Sequence, residues 1–168
     1  VEDPDEFYPL LQIFNRYPVC ELTIHPRVRR DFYRGCPNLE VFEMALKESR
    51  NPVCYNGDIR NTEDYERICR RFPDLDRIMI GRGVIADPGL TEEIYGAEKT
   101  SRKKIFEFEQ QVREEYKKWM PPDPVLFKMK EIWSYMSASF PEDDKFWKKI
   151  KKSKKLSDYE AVMRVLKS

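Results

Sequence analysis

Apolar positions along the first half of the chain switch between two spacings. Phe7, Leu10, Leu11 and Phe14 recur at helical intervals behind Asp3-Pro4-Asp5-Glu6. Asp3 can cap, Pro4 suits the first helical position and Glu6 can complete a capping box, so a helix is predicted to about Tyr17, where Pro18 ends it. Val19-Cys20-Glu21-Leu22-Thr23-Ile24 is then a short β-rich run that stops at His25-Pro26-Arg27. The alternation repeats twice. A helix over about Leu39–Ser49 leads to a strand at Pro52-Val53-Cys54-Tyr55, which stops at Asn56-Gly57-Asp58. A helix over about Thr62–Phe72 leads to Arg77-Ile78-Met79-Ile80, which stops at Gly81-Arg82-Gly83. Strands alternating with helices predict βαβ units, a parallel sheet and right-handed crossovers. The strand-to-strand repeat of roughly 25–33 residues is close to the ~31 per unit of an eight-fold barrel.

From Asp87-Pro88 onward the pattern is helical throughout. A short helix runs to Tyr95 and Gly96 closes it; residues 97–101 are the expected boundary. Lys103–Met120 follows, with Ile105, Phe108, Val112, Tyr116 and Trp119 along one face. Pro121-Pro122-Asp123-Pro124 is expected to break it before a helix over Val125–Ser139 with Phe127, Ile132, Tyr135 and Met136 apolar. Pro141 marks the next turn, and a helix is expected from about Asp143 to Lys151. Ser157-Asp158-Tyr159-Glu160 reads as a capping box opening a last helix with Ala161, Val162, Val165 and Leu166. Short-looped helices predict a small antiparallel bundle over 97–168, behind an α/β region over 1–96.

Composition supports a folded chain: of 168 residues 40% are hydrophobic and 22 are aromatic, enough for a core despite the 36% that are charged. No run of 18 apolar residues exists, which excludes a membrane-spanning helix. No leader-like segment opens the chain, and a cytoplasmic protein is expected. It opens on Val1 rather than Met, as expected of a piece of something longer. The net charge of +1 hides an uneven distribution: residues 1–96 sum to −5 and 97–168 to +6. Six lysines fall in the eight residues from Lys148 to Lys155, either a solvated face or a phosphate-facing patch. Cys20, Cys36, Cys54 and Cys69 lack zinc-site spacing and the only histidine, His25, is not placed among them, so buried free thiols and no metal site are expected.

The three strand ends carry the candidate chemistry, because ligands of parallel α/β proteins lie at the carboxyl ends of the strands. Each cluster alone is also ordinary turn chemistry. Together they place His25, Asn56, Gly57, Asp58, Gly81 and Arg82 on one rim. Glycine there permits close backbone approach and arginine offers a planar fork of donors, which suits a phosphate. His25 can hydrogen-bond a ring ligand or exchange protons near neutral pH.

Leu22-Thr23-Ile24-His25-Pro26-Arg27, Tyr33-Arg34-Gly35, Pro52-Val53-Cys54-Tyr55-Asn56-Gly57-Asp58-Ile59 and Ile78-Met79-Ile80-Gly81-Arg82-Gly83 resemble, in order and spacing, the last three barrel strands of the tRNA-dihydrouridine synthases. Lys128-Met129-Lys130-Glu131-Ile132-Trp133-Ser134-Tyr135 is similar to a helix of that family's C-terminal domain. The resemblance implies the last three βα units of a TIM barrel followed by an all-α tRNA-binding domain. It implies an enzyme using FMN, reduced by NADPH, to reduce the C5–C6 double bond of uridines in tRNA. By position, His25 would approach the flavin ring, and Asn56, Gly57, Asp58, Gly81 and Arg82 would hold the phosphate end of FMN. Arg27 would sit near the flavin or the uridine. Lys128, Lys130, Lys148, Lys149, Lys151 and Lys152 are the lysines expected on tRNA phosphates.

Two departures matter. Most members have His-Gly-Arg where this chain has His25-Pro26-Arg27, and Pro26 removes a backbone donor. The family's Asn-x-Gly-Cys-Pro segment with the catalytic cysteine is absent: Arg34-Gly35-Cys36-Pro37 follows the wrong strand. Three parallel strands cannot close a barrel. The expected partners are therefore the missing N-terminal half, on the same polypeptide or a second chain, or a second copy across the open sheet edge. Alone, the chain is expected to be inactive. The alternatives are a non-enzymatic tRNA-binding remnant and a different FMN-dependent TIM-barrel oxidoreductase.

Overall fold

The computed structural model describes residues 1–31, 35–140, 142 and 144–167. Tyr33 and Arg34 of the quoted motif, Pro141, and the expected helix start at Asp143 lie outside the described residues. The chain divides into two compact units, Val1–Gly81 and Arg82–Ser168.

In the first unit a 3-10 turn over Pro4–Glu6 leads into α1 (Phe7–Phe14). Asp3 caps by accepting the Asp5 N–H, and the Glu6 carboxylate reaches back to the Glu2 N–H. β1 is Leu22–Ile24, α2 is Leu39–Glu48, β2 is Val53–Tyr55 and α3 is Thr62–Arg71. The start of α2 is set by the Asn38 side chain accepting from the Val41 N–H, that of α3 by Asn61 accepting from the Asp64 N–H. β1 and β2 pair in parallel with Leu22 opposite Val53 and Ile24 opposite Tyr55. Arg77–Ile80, expected as a third strand, is reduced to a parallel bridge between Tyr55 and Ile78, sealed by Tyr55 N–H to Arg77 O and Met79 N–H to Tyr55 O. It pairs on the correct side of β2, but only over a few residues. β1 begins three residues later than Val19, so Cys20 is exposed rather than buried; Cys36 is exposed too, and only Cys54 is buried. Leu11, Ile24, Phe42, Ala45, Val53, Tyr55, Ile59, Ile68 and Phe72 form the core. The Phe42 ring meets Tyr55 and Phe72 edge-on at 4.8 and 5.2 Å.

The second unit is helical: α4 (Arg82–Ala86), α5 (Leu90–Ile94), α6 (Arg102–Trp119), α7 (Pro122–Met136), α8 (Asp144–Lys152) and α9 (Leu156–Lys167). The expected boundary at 97–101 falls inside this unit, because α4 packs against α7 and Ser139 Oγ donates to Ala86 O. Pro121-Pro122-Asp123-Pro124 is not a break of several residues. Pro122 and Pro124 occupy the first turn of α7, where a missing N–H costs nothing. The last helix begins at Leu156, so its box is shifted: Asp158 accepts from the Lys154 and Lys155 N–H groups and Ser157 is not the cap. Its buried side is Leu156, Tyr159, Met163 and Leu166, whereas Ala161 and Val165 are exposed.

The buried face of α6 differs most from expectation. It comprises Ile105, Phe106, Glu109 and Arg113, while Trp119 is 79% exposed. Glu109 is fully buried and binds Arg113 Nε at 3.0 Å. Tyr159 Oη donates to Glu109 at 2.8 Å and accepts from Trp133 Nε1 at 2.8 Å. Burial and the Glu109 charge push the Tyr159 phenol far above its ordinary value. An acidic and a basic residue thus belong to the core because each completes the other.

Candidate functional site

The rim of the first unit forms where the parallel backbone ladder gives way to side chains. β1 pairs with β2 at an offset of 31 residues. The ladder extends one step further through Asn56 N–H to Ile24 O at 2.9 Å. Both chains then turn within two residues: Arg27 N–H bonds His25 O, and Ile59 N–H bonds Gly57 O. Past that point two side-chain bonds continue the same offset of 31. His25 Nδ1 lies 2.6 Å from Asn56 O, and Arg27 Nη2 lies 2.6 Å from Asp58 Oδ2. The third segment joins through Asn56 Nδ2, which donates to Met79 O at 2.9 Å. The first two strand ends named from sequence are therefore tied side by side, and the third segment is tied to them as far as Met79.

A carbonyl only accepts, so the bond to Asn56 O assigns the hydrogen of His25 to Nδ1; in the neutral ring Nε2 is then the acceptor. Arg27 is not presented to solvent. Its side chain is 3% exposed, and Nη2 also donates to Gly35 O at 2.9 Å. Asp58 is 18% exposed. Gly35 has φ +70, a backbone that disfavours a Cβ, and so turns its carbonyl to Arg27 at low cost. Gly57 is required for a different reason: a Cβ there would stand 1.9 Å from Tyr55 Oη. Burial and the Asp58 charge push the Tyr55 phenol up to about 12. Gly81 is open, with nothing within 4 Å of where its Cβ would stand. Arg82 is half-buried and begins α4 in the second unit. A cavity of about 230 Å³ adjoins the rim, lined by His25, Pro26, Arg27, Cys36 and Asn38 among others.

The lysines of the second unit divide into two kinds. Phe146, Trp147 and Ile150 share the inner side of α8, and Lys145, Lys148, Lys149 and Lys152 recur at three- and four-residue spacing on the opposite, exposed side. Lys151 flanks them, 4.7 Å over the Trp147 ring, and Lys148 pairs with Asp144. Lys128 is exposed and pairs with Glu131 at 3.2 Å. Lys130 is different: half-buried, its Nζ donates to Ser153 O just past the end of α8. Among the described residues there is no group of His, Cys, Asp and Glu that could hold a metal ion, and no helix long and apolar enough to cross a membrane.

A family model described as dihydrouridine synthase (Dus) matches residues 5–166. The chain belongs to the dihydrouridine synthase family. It is 29% identical over 147 residues to a tRNA-dihydrouridine(16) synthase of Shewanella oneidensis, covering 87% of this chain and 45% of that protein. A protein of the same description from Pseudomonas syringae is 34% identical over 79 residues, 47% of this chain and 25% of that protein. A probable tRNA-dihydrouridine synthase of Rickettsia prowazekii is 35% identical over 83 residues, 49% of this chain and 25% of that protein. The chain thus spans less than half the length of these curated relatives in the matches.

The mutual pairing of Arg27 with Asp58 escapes motif reading, because each motif taken alone points toward a ligand. Its signal is present nonetheless: both residues lie three positions beyond paired strand residues, Ile24 and Tyr55. Glu109, Arg113 and Tyr159 carry no such signal.

Proposed function

We propose that the chain is the C-terminal part of a tRNA-dihydrouridine synthase, with the last three βα units of a TIM barrel followed by a tRNA-binding helical region. The supporting observation is the family match over nearly the whole chain, whose alignment covers less than half of its relatives. On this reading the cofactor is FMN, reduced by NADPH. The flavin supplies the hydride that reduces a uridine of tRNA, and the protein binds and orients it. The open backbone at Gly81 fits a phosphate, with Asn56 and Gly57 on the neighbouring strand end and Arg82 next in sequence, while the Asp58 carboxylate is engaged by Arg27. His25 would approach the flavin ring. Lys128, Lys148, Lys149, Lys151 and Lys152 would meet tRNA phosphates, whereas Lys130 already holds the end of α8. The partner is the N-terminal barrel half, with self-association through the free edge of β1 as the alternative. The working compartment would be the cytoplasm.

The catalytic-cysteine segment of the family is not in this sequence, so the chain alone should make no dihydrouridine. Mass analysis of tRNA from cells lacking their own synthases tests this: none is expected with the chain alone, and dihydrouridine is expected once the N-terminal half is supplied. Dihydrouridine from the chain alone, or no bound FMN in the reconstituted pair, overturns the reading. Reversing the charge of Lys148, Lys149, Lys151 and Lys152 should weaken tRNA binding and reduce the salt slope by about 3, at ~0.7–0.9 per lost phosphate contact. A second reading, RNA binding without a flavin, is favoured by the second unit having its own core. A colourless reconstituted pair that still binds tRNA would support it.

A further inference from the structure

We infer that Arg27 and Asp58 are positioning residues that act on the site through His25, rather than ligand contacts in their own right. Three observations carry this. The guanidinium is almost fully buried, and its Nη2 donates to both the Asp58 carboxylate and Gly35 O. The pair lies two residues beyond the bond from His25 Nδ1 to Asn56 O, at the same offset of 31, so the two bonds are successive rungs of one ladder. Between the rungs the chain makes the tight His25–Arg27 turn around the buried Pro26, so a shift of Arg27 is passed to the imidazole over a short, stiff segment.

The chemistry follows from charge burial. A guanidinium in this position is stable only opposite a carboxylate; without one it must leave for solvent. Leaving frees the Gly35 carbonyl and releases the turn that aims His25 Nδ1 at Asn56 O. The outer rung therefore keeps the inner one closed, and the inner one keeps the hydrogen on Nδ1 and an acceptor at Nε2. Arg27 is unsuited to a direct tRNA contact for the same reason, since it would have to abandon Asp58.

The test is the tautomer of His25, the only histidine, read from the nitrogen chemical shifts of its ring in the labelled full chain at a pH where the ring is neutral. The native chain should be in the Nδ1–H form. Asp58→Asn and Arg27→Gln should each shift it toward a mixture of both tautomers. The double variant should be no further shifted than either single one, because one rung is lost in every case. Arg27→Lys keeps the charge but not the fork, and should show an intermediate mixture; it decides the matter if the other variants do not fold. An unchanged Nδ1–H form in folded variants, or single effects that add in the double variant, overturns the inference. The readout needs no flavin, so it fails or succeeds independently of the proposed cofactor. With FMN as a separate probe in the reconstituted pair, lost binding beside an unchanged tautomer would assign Asp58 to direct contact and overturn the inference as well.

Discussion

The two units handle their charged residues in opposite ways. In the first, charged side chains lie around a core that is entirely apolar apart from the Tyr55 hydroxyl, and the least exposed pair, Arg27 with Asp58, stands at the strand ends. In the second, an acid and a base lie within the packing of α6, α7 and α9, and a separate row of exposed lysines lies on α8. The contrast reflects what each unit has to build with. Two three-residue strands and a bridge bury little by themselves, so polar rungs do much of the fixing at the end of the sheet. A helical bundle satisfies its backbone internally and can enclose a polar network, provided every member is paired.

The sharpest way to break that contrast is to remove Glu109. Glu109→Gln should destabilise the second unit by about 3 kcal/mol, because Arg113 loses its buried counterion, though not Glu114 and Glu160, and Tyr159 loses its charged acceptor. Denaturant unfolding followed by tryptophan fluorescence measures it, since Trp119, Trp133 and Trp147 all lie in the second unit. A loss below about 1 kcal/mol would mean that the network contributes no more than an exposed pair.

Alkaline pH acts on both units. Unfolded tyrosine titrates near 10, whereas Tyr55 holds its proton to about 12. In that window the unfolded state has lost a proton that the folded state keeps, so stability is full below about 10 and falls as pH rises toward 12. Tyr159 is raised further and should ionise only on unfolding. Tyrosinate absorbance during a pH titration should therefore show two late phenols. Tyr55→Phe should remove one and leave the other.

How much of this was legible in the sequence depended on what signalled each element. The expected spans of α2 and α3 agree with the structure to within a residue, and the Asn38 and Asn61 caps, local devices not read from the sequence, explain where they start. The parallel register was implicit in the clusters 31 residues apart. The short α4 was not foreseen, since five residues containing Gly83 carry little periodicity. On α6 the apolar stripe pointed one residue away from the true buried face: a Glu and an Arg count as outward until their partners on other helices are known. Trp119 shows the converse, an aromatic on the apparent stripe that lies in solvent with its indole N–H on Glu115.

Gly57→Ala separates packing from ligand roles at the rim. The added methyl would overlap the Tyr55 ring, so the first unit should lose about 1–3 kcal/mol while the second is unaffected. Asn61→Ala should cost about 1 kcal/mol through the lost cap of α3, again in the first unit alone. Hydrogen exchange resolves the two units. If both variants lowered protection equally in α6 and α7, the units would share one unfolding transition and the comparison between them would fail.

The smallest stability effect belongs to Lys128. Its ammonium meets Glu131 at 3.2 Å on an exposed helix surface, a pair worth about 0–1 kcal/mol at most. Lys128→Ala should leave denaturant stability within about 0.5 kcal/mol. Lys130→Ala, by contrast, removes a charged donor from the Ser153 carbonyl and should cost about 1.5–3 kcal/mol. Two lysines two positions apart thus predict opposite profiles. Losing Lys128 should weaken tRNA binding with stability intact, and losing Lys130 should loosen the end of α8 first and affect tRNA only through it. Equal stability losses would mean that the anchor at Ser153 contributes nothing, and both lysines would then be surface charges available to phosphate.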